Sequence, residues 1–218
     1  MSKVILITGA EYLAEKGHTV YGAARRVDNM KSLEEKGGHA LKLDITNEAD
    51  IVSVVAEIMK KEGKIDVLWN NAGYGLYGAV EDISIDRARA QFEVNIFGLA
   101  RMTQEVLPHM RAANSGTIIN TSSVGGKIYT PLGAWYHGTK HALEGWSDCL
   151  AFELADFNIH VSILEPGVIL TEFGDVMLDQ LKESSKNSAY GKLNDIMASS
   201  AKDSYDKGVG SSPMVIAQ

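Results

Sequence analysis

The chain has 218 residues, 45% of them apolar and 22% charged, with 21 glycines, four prolines, one cysteine and a net charge of −7. That composition supplies a core and excludes a disordered, collagen-like or disulfide-stapled protein. The acidic balance argues against a nucleic-acid or anionic-membrane partner, because phosphate recognition needs clustered Lys and Arg. The apolar run behind Met1 stops at Thr8, too short for a secretory signal. No apolar run approaches the ~20 residues of a membrane span. The expectation is a soluble cytoplasmic protein with no membrane partner.

In chain order, Val4-Ile5-Leu6-Ile7 reads as a strand buried on both faces and ends in Thr8-Gly9-Ala10. Val20 to Ala23 is a second strand, running out into Ala24-Arg25-Arg26, and Ala40 to Leu43 a third, ending at Asp44 and Ile45. Asn47 to Lys61 is a helix: Ile51, Val54, Val55 and Ile58 recur at helical spacing and Gly63 closes it. Ile65 to Trp69 is a fourth strand, followed by Asn70-Asn71-Ala72-Gly73. A helical region from Asp86 to Arg111 leads to a fifth strand, Thr117 to Ile119, which ends in Asn120-Thr121-Ser122-Ser123-Val124-Gly125-Gly126. A helix from Trp135 to Phe157, striped by Leu143, Trp146, Leu150 and Leu154, precedes a sixth strand, Ile159 to Leu164, and then Glu165-Pro166-Gly167. Glu172 to Gly210 reads as short helices and loops. This alternation predicts an α/β fold: a doubly wound (Rossmann-type) parallel sheet with helices on both faces, as a single domain over 1–218.

Tyr136 and Lys140 stand four apart on a helix, so both project from one face. A free phenol has a pKa near ~10 and is a poor base at neutrality, but a neighbouring ammonium favours the phenolate. Such a tyrosine can exchange a proton with a substrate oxygen. Alone the pair is weak. It gains weight from Ser123 and from small or polar residues at four strand ends, where doubly wound sheets bind ligands.

Tyr136-His137-Gly138-Thr139-Lys140, the preceding Ser123, Asn70-Asn71-Ala72-Gly73, Asn95 within Phe92-Glu93-Val94-Asn95, and Pro166-Gly167 with Thr171 stand in one order and spacing. From Lys3 to about Thr171 the chain resembles the short-chain dehydrogenases/reductases, and around Glu165 to Phe173 their hydroxysteroid and retinol dehydrogenase branch. The resemblance implies an alcohol dehydrogenase or carbonyl reductase that interconverts a secondary alcohol and a ketone, or a primary alcohol and an aldehyde. It implies Tyr136 as general acid/base, Lys140 lowering its pKa and binding the nicotinamide ribose, Ser123 holding the substrate oxygen, and Asn95 positioning a water. It also implies a cofactor site of Thr8, Gly9, Asp44, Ile45, Asn71, Ala72 and Gly73 on the adenine side and Pro166, Gly167, Val168, Ile169 and Thr171 around the nicotinamide. A homodimer or homotetramer is the implied assembly.

The second strand ends in Arg25-Arg26 with no acid at its tip, a pattern that favours the 2′-phosphate of NADP over the bare ribose of NAD. NADP(H) is the expected cofactor, with NAD(H) the alternative. The phosphate loop departs from the family pattern, since Leu13 and Glu15 stand where close-approach glycines belong. Glu11 to Lys16, if helical, spans about 9 Å, whereas a five-residue strand spans roughly 17 Å. The spacing therefore reads as residues missing between 10 and 11. After Ser212-Pro213, a cap that opens Met214 to Ala217, it reads as a helix cut at 218.

Other features carry blander readings. His137 and His141 share a helix face but lack a third ligand, so no metal is expected. Cys149 reads as a packed thiol. Met177, Leu178 and Leu181 fit either a cover over the substrate or plain packing. The competing function is a non-catalytic dinucleotide-binding or interaction protein on the same scaffold, and a further one an isomerase or dehydratase using the same tyrosine.

Overall fold

The computed structural model describes residues 2–8, 16–170, 172–185 and 188–217. The expectation of missing residues between 10 and 11 falls, like Gly9 and Thr171, outside the described residues. The chain forms two compact units, the first built from Met1–Ala72, Ile96–Thr121 and Glu144–Leu164, the second from Gly73–Asn95, Ser122–Leu143 and Glu165–Gln218.

The first unit holds a six-stranded sheet in the order β3-β2-β1-β4-β5-β6. Its strands are β1 (Val4–Thr8), β2 (Thr19–Ala24), β3 (His39–Lys42), β4 (Val67–Asn70), β5 (Gly116–Thr121) and β6 (Ile159–Leu164). Every neighbouring pair is parallel. All six expected strands are present, in the order of a doubly wound sheet whose direction of winding reverses between β1 and β4. The central strands are apolar because both faces are covered: Leu6, Ile7, Leu68 and Ile118 are fully buried. Truncating one of them, as in Leu68→Ala, removes transfer energy and opens a cavity worth about 2–5 kcal/mol together.

Helix α2 (Glu48–Glu62) has the expected stripe of Ile51, Val54, Val55 and Ile58 inside. Asn47 caps it by accepting from Ala49 N–H at 2.9 Å, and Gly63 ends it at φ 71°, which glycine adopts without a Cβ penalty. A short α1 (Lys31–Glu35) follows a 3-10 turn at Val27–Met30. Neither was legible, because only Met30 and Leu33 are buried there.

The expected helix from Asp86 to Arg111 is interrupted. Helix α3 (Ile85–Phe92) passes into a π-helical segment, Glu93–Gly98, and then α4 (Leu99–Ala113). A π segment widens one turn and commonly accompanies a functional residue, and Asn95 lies in this one. Helix α5 (Ala134–Leu154) carries Tyr136 and Lys140 and ends in a 3-10 turn at Ala155–Phe157. Cys149 corrects the sequence reading: it is exposed, because the buried face of α5 is set by Leu143, Ser147, Leu150 and Leu154.

The segment after Thr171 is also more regular than expected. It forms α6 (Glu172–Ser185), α7 (Gly191–Asp206) and a terminal turn, α8 (Met214–Ala217). Its apolar positions are sparse, but Leu181 is buried, and Met177, Leu193, Met197 and Ala198 pack on the same cluster. Ser212 caps α8 as expected, accepting from Met214 N–H at 3.3 Å.

Candidate active site

Within the first unit, the end of β1 is tied to the end of β4 at the reversal of the sheet. Thr8 Oγ1 accepts from the backbone N–H of Asn71 at 2.9 Å and of Ala72 at 2.8 Å, and Asn71 Nδ2 donates to Thr8 O at 3.2 Å. Thr8 is buried, with its hydroxyl engaged by this turn. Arg25 and Arg26 are exposed beyond β2. Arg25 lies near enough to Asp44 to favour its carboxylate, although the N–H and hydroxyl of Thr46 do most to hold Asp44 below the usual carboxylate range. Ile45 is buried beside it.

Within the second unit, Asn95, Ser123, Tyr136 and Lys140 come together. Asn95 is 2% exposed; its Oδ1 accepts from Tyr74 N–H at 3.1 Å, and its Nδ2 donates to Tyr74 O at 3.0 Å and Thr139 Oγ1 at 3.1 Å. Thr139 in turn donates to Tyr136 O at 2.8 Å. A Cβ on Gly73 would stand 3.2 Å from Asn95 Oδ1 and 3.8 Å from Lys140 Nζ. The missing side chain therefore keeps this approach to Lys140 open.

Tyr136 is 7% exposed, and its hydroxyl shares a hydrogen bond with Ser123. The Lys140 ammonium lies 5.9 Å from the centre of the Tyr136 ring. Burial pushes the phenol up, the Ser123 hydrogen bond pulls it down, and burial wins. The lowered phenol expected from Lys140 is thus not the state of this structure, in which the net direction is upward. Tyr77 packs on Tyr136 with ring centres 5.5 Å apart, and Leu132 and Leu181 complete the apolar cluster. Helix α6 is fixed beside it by Gln180, whose Oε1 accepts from Tyr77 N–H at 3.0 Å.

Ser123 caps the short turn Val124–Gly126, its Oγ accepting from Gly125 N–H at 3.0 Å and lying 3.4 Å from Pro166 O. Pro166 O also accepts from Val124 N–H at 3.0 Å, so Pro166, Gly167, Val168 and Ile169 leave the site beside Ser123. Trp135 packs instead with Leu76, Ile83, Ala88 and Tyr74. Sequence reasoning missed Thr139, Tyr74 and Tyr77, which act through backbone or ring contacts that no spacing announces. Among the described residues, no group of three or more His, Cys, Asp or Glu is placed to hold a metal ion.

The short-chain dehydrogenase family model matches residues 3–182. The chain belongs to the short-chain dehydrogenase family. It is 38% identical over 183 residues to a 3-ketodihydrosphingosine reductase of Bacteroides thetaiotaomicron, a match covering 79% of this chain and 66% of that protein. Among solved structures it is similar to an NAD+-bound xylitol dehydrogenase, with a TM-score of 0.75 and 30% identity over 86% of this chain and 78% of that one. It is also similar to ElxO with NADP bound, with a TM-score of 0.74 and 29% identity over 86% and 81%. The chain spans 56% to 69% of the length of seven curated relatives.

Proposed function

We propose that the protein is an NADP(H)-dependent oxidoreductase interconverting an apolar ketone and its secondary alcohol, with Tyr136 as general acid/base. The observation that carries this reading is the buried Tyr136 hydroxyl, hydrogen-bonded to Ser123 with the Lys140 ammonium 5.9 Å from its ring centre. A scaffold that only binds a dinucleotide has no use for a phenol desolvated beside a hydroxyl and an ammonium.

The residues present fit a nicotinamide dinucleotide. Arg25 and Arg26 would receive a 2′-phosphate, Asp44, Ile45, Asn71, Ala72 and Gly73 the adenine side, and Pro166 to Ile169 the nicotinamide. The open approach left at Gly73 suits the ribose hydroxyls that Lys140 would bind. The bound dinucleotide supplies the hydride. In reduction, Ser123 Oγ–H donates to the substrate carbonyl oxygen and orients it. Tyr136 then gives that oxygen its hydroxyl proton as the negative charge grows, and Lys140 stabilises the phenolate left behind. Asn95 holds the Tyr74 and Thr139 contacts that fix Lys140's surroundings. Its expected role of positioning a water belongs to the same proposal.

The apolar character of the substrate is supported by the company of Tyr136, which comprises Tyr77, Leu132, Leu181 and Met177. The likeness to a 3-ketodihydrosphingosine reductase supports a ketone as the group reduced. The test is NADPH oxidation with a series of ketones of increasing chain length. Reduction that favours longer chains and is lost in Tyr136→Phe supports the reading, and turnover undiminished in Tyr136→Phe refutes it.

A further inference from the structure

We infer that His137 is a positioning residue that sets the Ser123 hydroxyl, and through it the proton-transfer geometry at Tyr136, by gripping the turn between Ser123 and Thr130. This rests on the reading of Ser123 and Tyr136 as the reacting pair. His137 follows Tyr136 on α5 and is 6% exposed. Its Nδ1 lies 2.8 Å from Gly125 O, and its Nε2 lies 3.1 Å from Thr130 N and 3.0 Å from Thr130 Oγ1. The Thr130 amide can only donate, so Nε2 accepts and is unprotonated. The ring proton is then on Nδ1, where it is donated to Gly125 O. The neutral ring thus satisfies one donor and one acceptor from two places in the turn.

Gly125 is held at both ends. Its carbonyl takes the His137 proton, and its N–H is donated to Ser123 Oγ at 3.0 Å. The Ser123 oxygen, fixed by that amide and by its own donation to Pro166 O at 3.4 Å, also shares a hydrogen bond with Tyr136. Two glycines make room for the ring. A Cβ on Gly133 would fall 2.5 Å from His137 Cδ2, and one on Gly125 would fall 3.0 Å from His137 Nδ1 and 3.2 Å from Tyr136 Cε1. The ring also meets Tyr136 edge-on, with centres 5.7 Å apart and planes at 60°, and Tyr77 at 6.4 Å and 80°. The histidine therefore bridges the element bearing the acid and the turn bearing its partner hydroxyl.

Three substitutions separate this role from simple packing. His137→Asn keeps a donor near the Nδ1 position, His137→Gln moves the amide toward Nε2 and withdraws the donor from Gly125, and His137→Leu removes both. Amide hydrogen exchange measured by NMR reads the grip directly. Protection of the Gly125 amide is expected to fall about tenfold or more in the Leu and Gln variants, while the amides of Leu6 and Ile118 keep theirs, and to be retained in the Asn variant. Turnover reads the consequence. The Leu and Gln variants are expected to lower kcat about tenfold at nearly unchanged KM, and the effect of His137→Leu is expected to shrink below about twofold in a Ser123→Ala background. If His137→Leu fails to fold, the Gln and Asn pair carries the same comparison.

Gly125 protection equal to wild type in the Gln or Leu variant overturns the inference. So does an undiminished kcat effect in the Ser123→Ala background. A wild-type chain that reduces no carbonyl compound refutes the oxidoreductase reading instead, and the Gly125 exchange result then decides the role of His137 by itself.

Discussion

Asn120 is the residue whose loss the sheet should feel most through polarity rather than volume. Its Oδ1 accepts from Asn70 Nδ2 at 3.0 Å and its Nδ2 donates to Ser147 Oγ at 2.9 Å. Asn70 Nδ2 also donates to Thr103 Oγ1 at 3.0 Å, and Thr103 Oγ1 donates to Leu99 O at 2.9 Å. None of these four side-chain residues is more than 2% exposed, so water cannot replace a lost partner. Asn120→Ala would strand one N–H of Asn70, costing about 1–3 kcal/mol, and forfeit the bond to Ser147, worth about 0.5–1.5 kcal/mol net. Ser147 recovers part of this by turning its hydroxyl to a carbonyl of its own helix. The expected loss is about 2–4 kcal/mol, or roughly 4–16 °C in Tm for a chain of this size. Asn120→Asp keeps the acceptor for Asn70 and lets Ser147 donate instead, at the cost of a buried carboxyl. It should therefore lose less at pH 4 than at pH 8. Urea unfolding followed by circular dichroism measures both. A loss below about 0.5 kcal/mol for Asn120→Ala would show that the ladder is not a net stabiliser and that the reasoning is wrong.

Tyr136→Phe is expected to lower carbonyl reduction by about 10²–10⁴-fold while the fold stays intact, measured as kcat/KM with NADPH. Because burial raises the Tyr136 phenol, reduction in the absence of added cofactor effects should hold through neutral pH and fall only as pH rises past about 10, whereas alcohol oxidation should climb over that range. A reduction rate that falls between pH 6 and 8 with Tyr136 dependence would contradict it. Arg25→Ala is expected to weaken NADPH about 10- to 100-fold and NADH little, read as the ratio of their KM values. Tyr21, fully buried and donating to Glu62 Oε1 at 2.7 Å, has its phenol raised by burial and by that carboxylate. The unfolded chain releases this proton near pH ~10 while the folded chain retains it, so stability is full below that pH and is lost as pH rises above it. Tyr21→Phe should flatten that alkaline decline in Tm.

The strands were legible as short runs between polar turns: Val4 to Ile7 is apolar throughout because β1 is buried on both faces, whereas the edge strand Ile159 to Leu164 begins by alternating apolar with polar residues and is largely part-exposed. The candidate site was legible because Ser123, Tyr136 and Lys140, which the fold brings together, stand at distinctive spacing after such runs. What holds them was not. Asn95 was readable as a motif residue, but its grip on the Tyr74 peptide depends on the π segment at Glu93–Gly98, and insertion of one residue's worth of helix leaves no periodic trace at this length. Helices α6 and α7 were legible only as short helices and loops, and their full length escaped because their inward positions are methionines and leucines spread among Ser, Lys and Asp. Such helices are fixed by the surface they cover rather than by their own pattern. Cys149 was misplaced for the converse reason: it sits beside a clear apolar stripe but one step off it.

The environment of Tyr136 sets which protonation state of its phenol is populated. Packing Tyr77, Leu132 and Leu181 against the phenol removes water, which strengthens its hydrogen bond to Ser123 but also raises the cost of its anion. At neutral pH such a phenol keeps its proton, and the protonated form is the one that donation to a carbonyl needs. The Lys140 ammonium, 5.9 Å from the ring centre, favours the phenolate by its charge once the proton has left. Under the proposed function, the resting site is therefore biased toward the reductive direction at neutral pH. The bias rests on Leu181: replacing this 1%-exposed residue by Ala would let water reach the phenol. Leu181→Ala should then lower the pH above which oxidation becomes efficient and narrow the difference between the two directions. An unchanged pH profile for oxidation would mean that burial by α6 is not what keeps the phenol protonated.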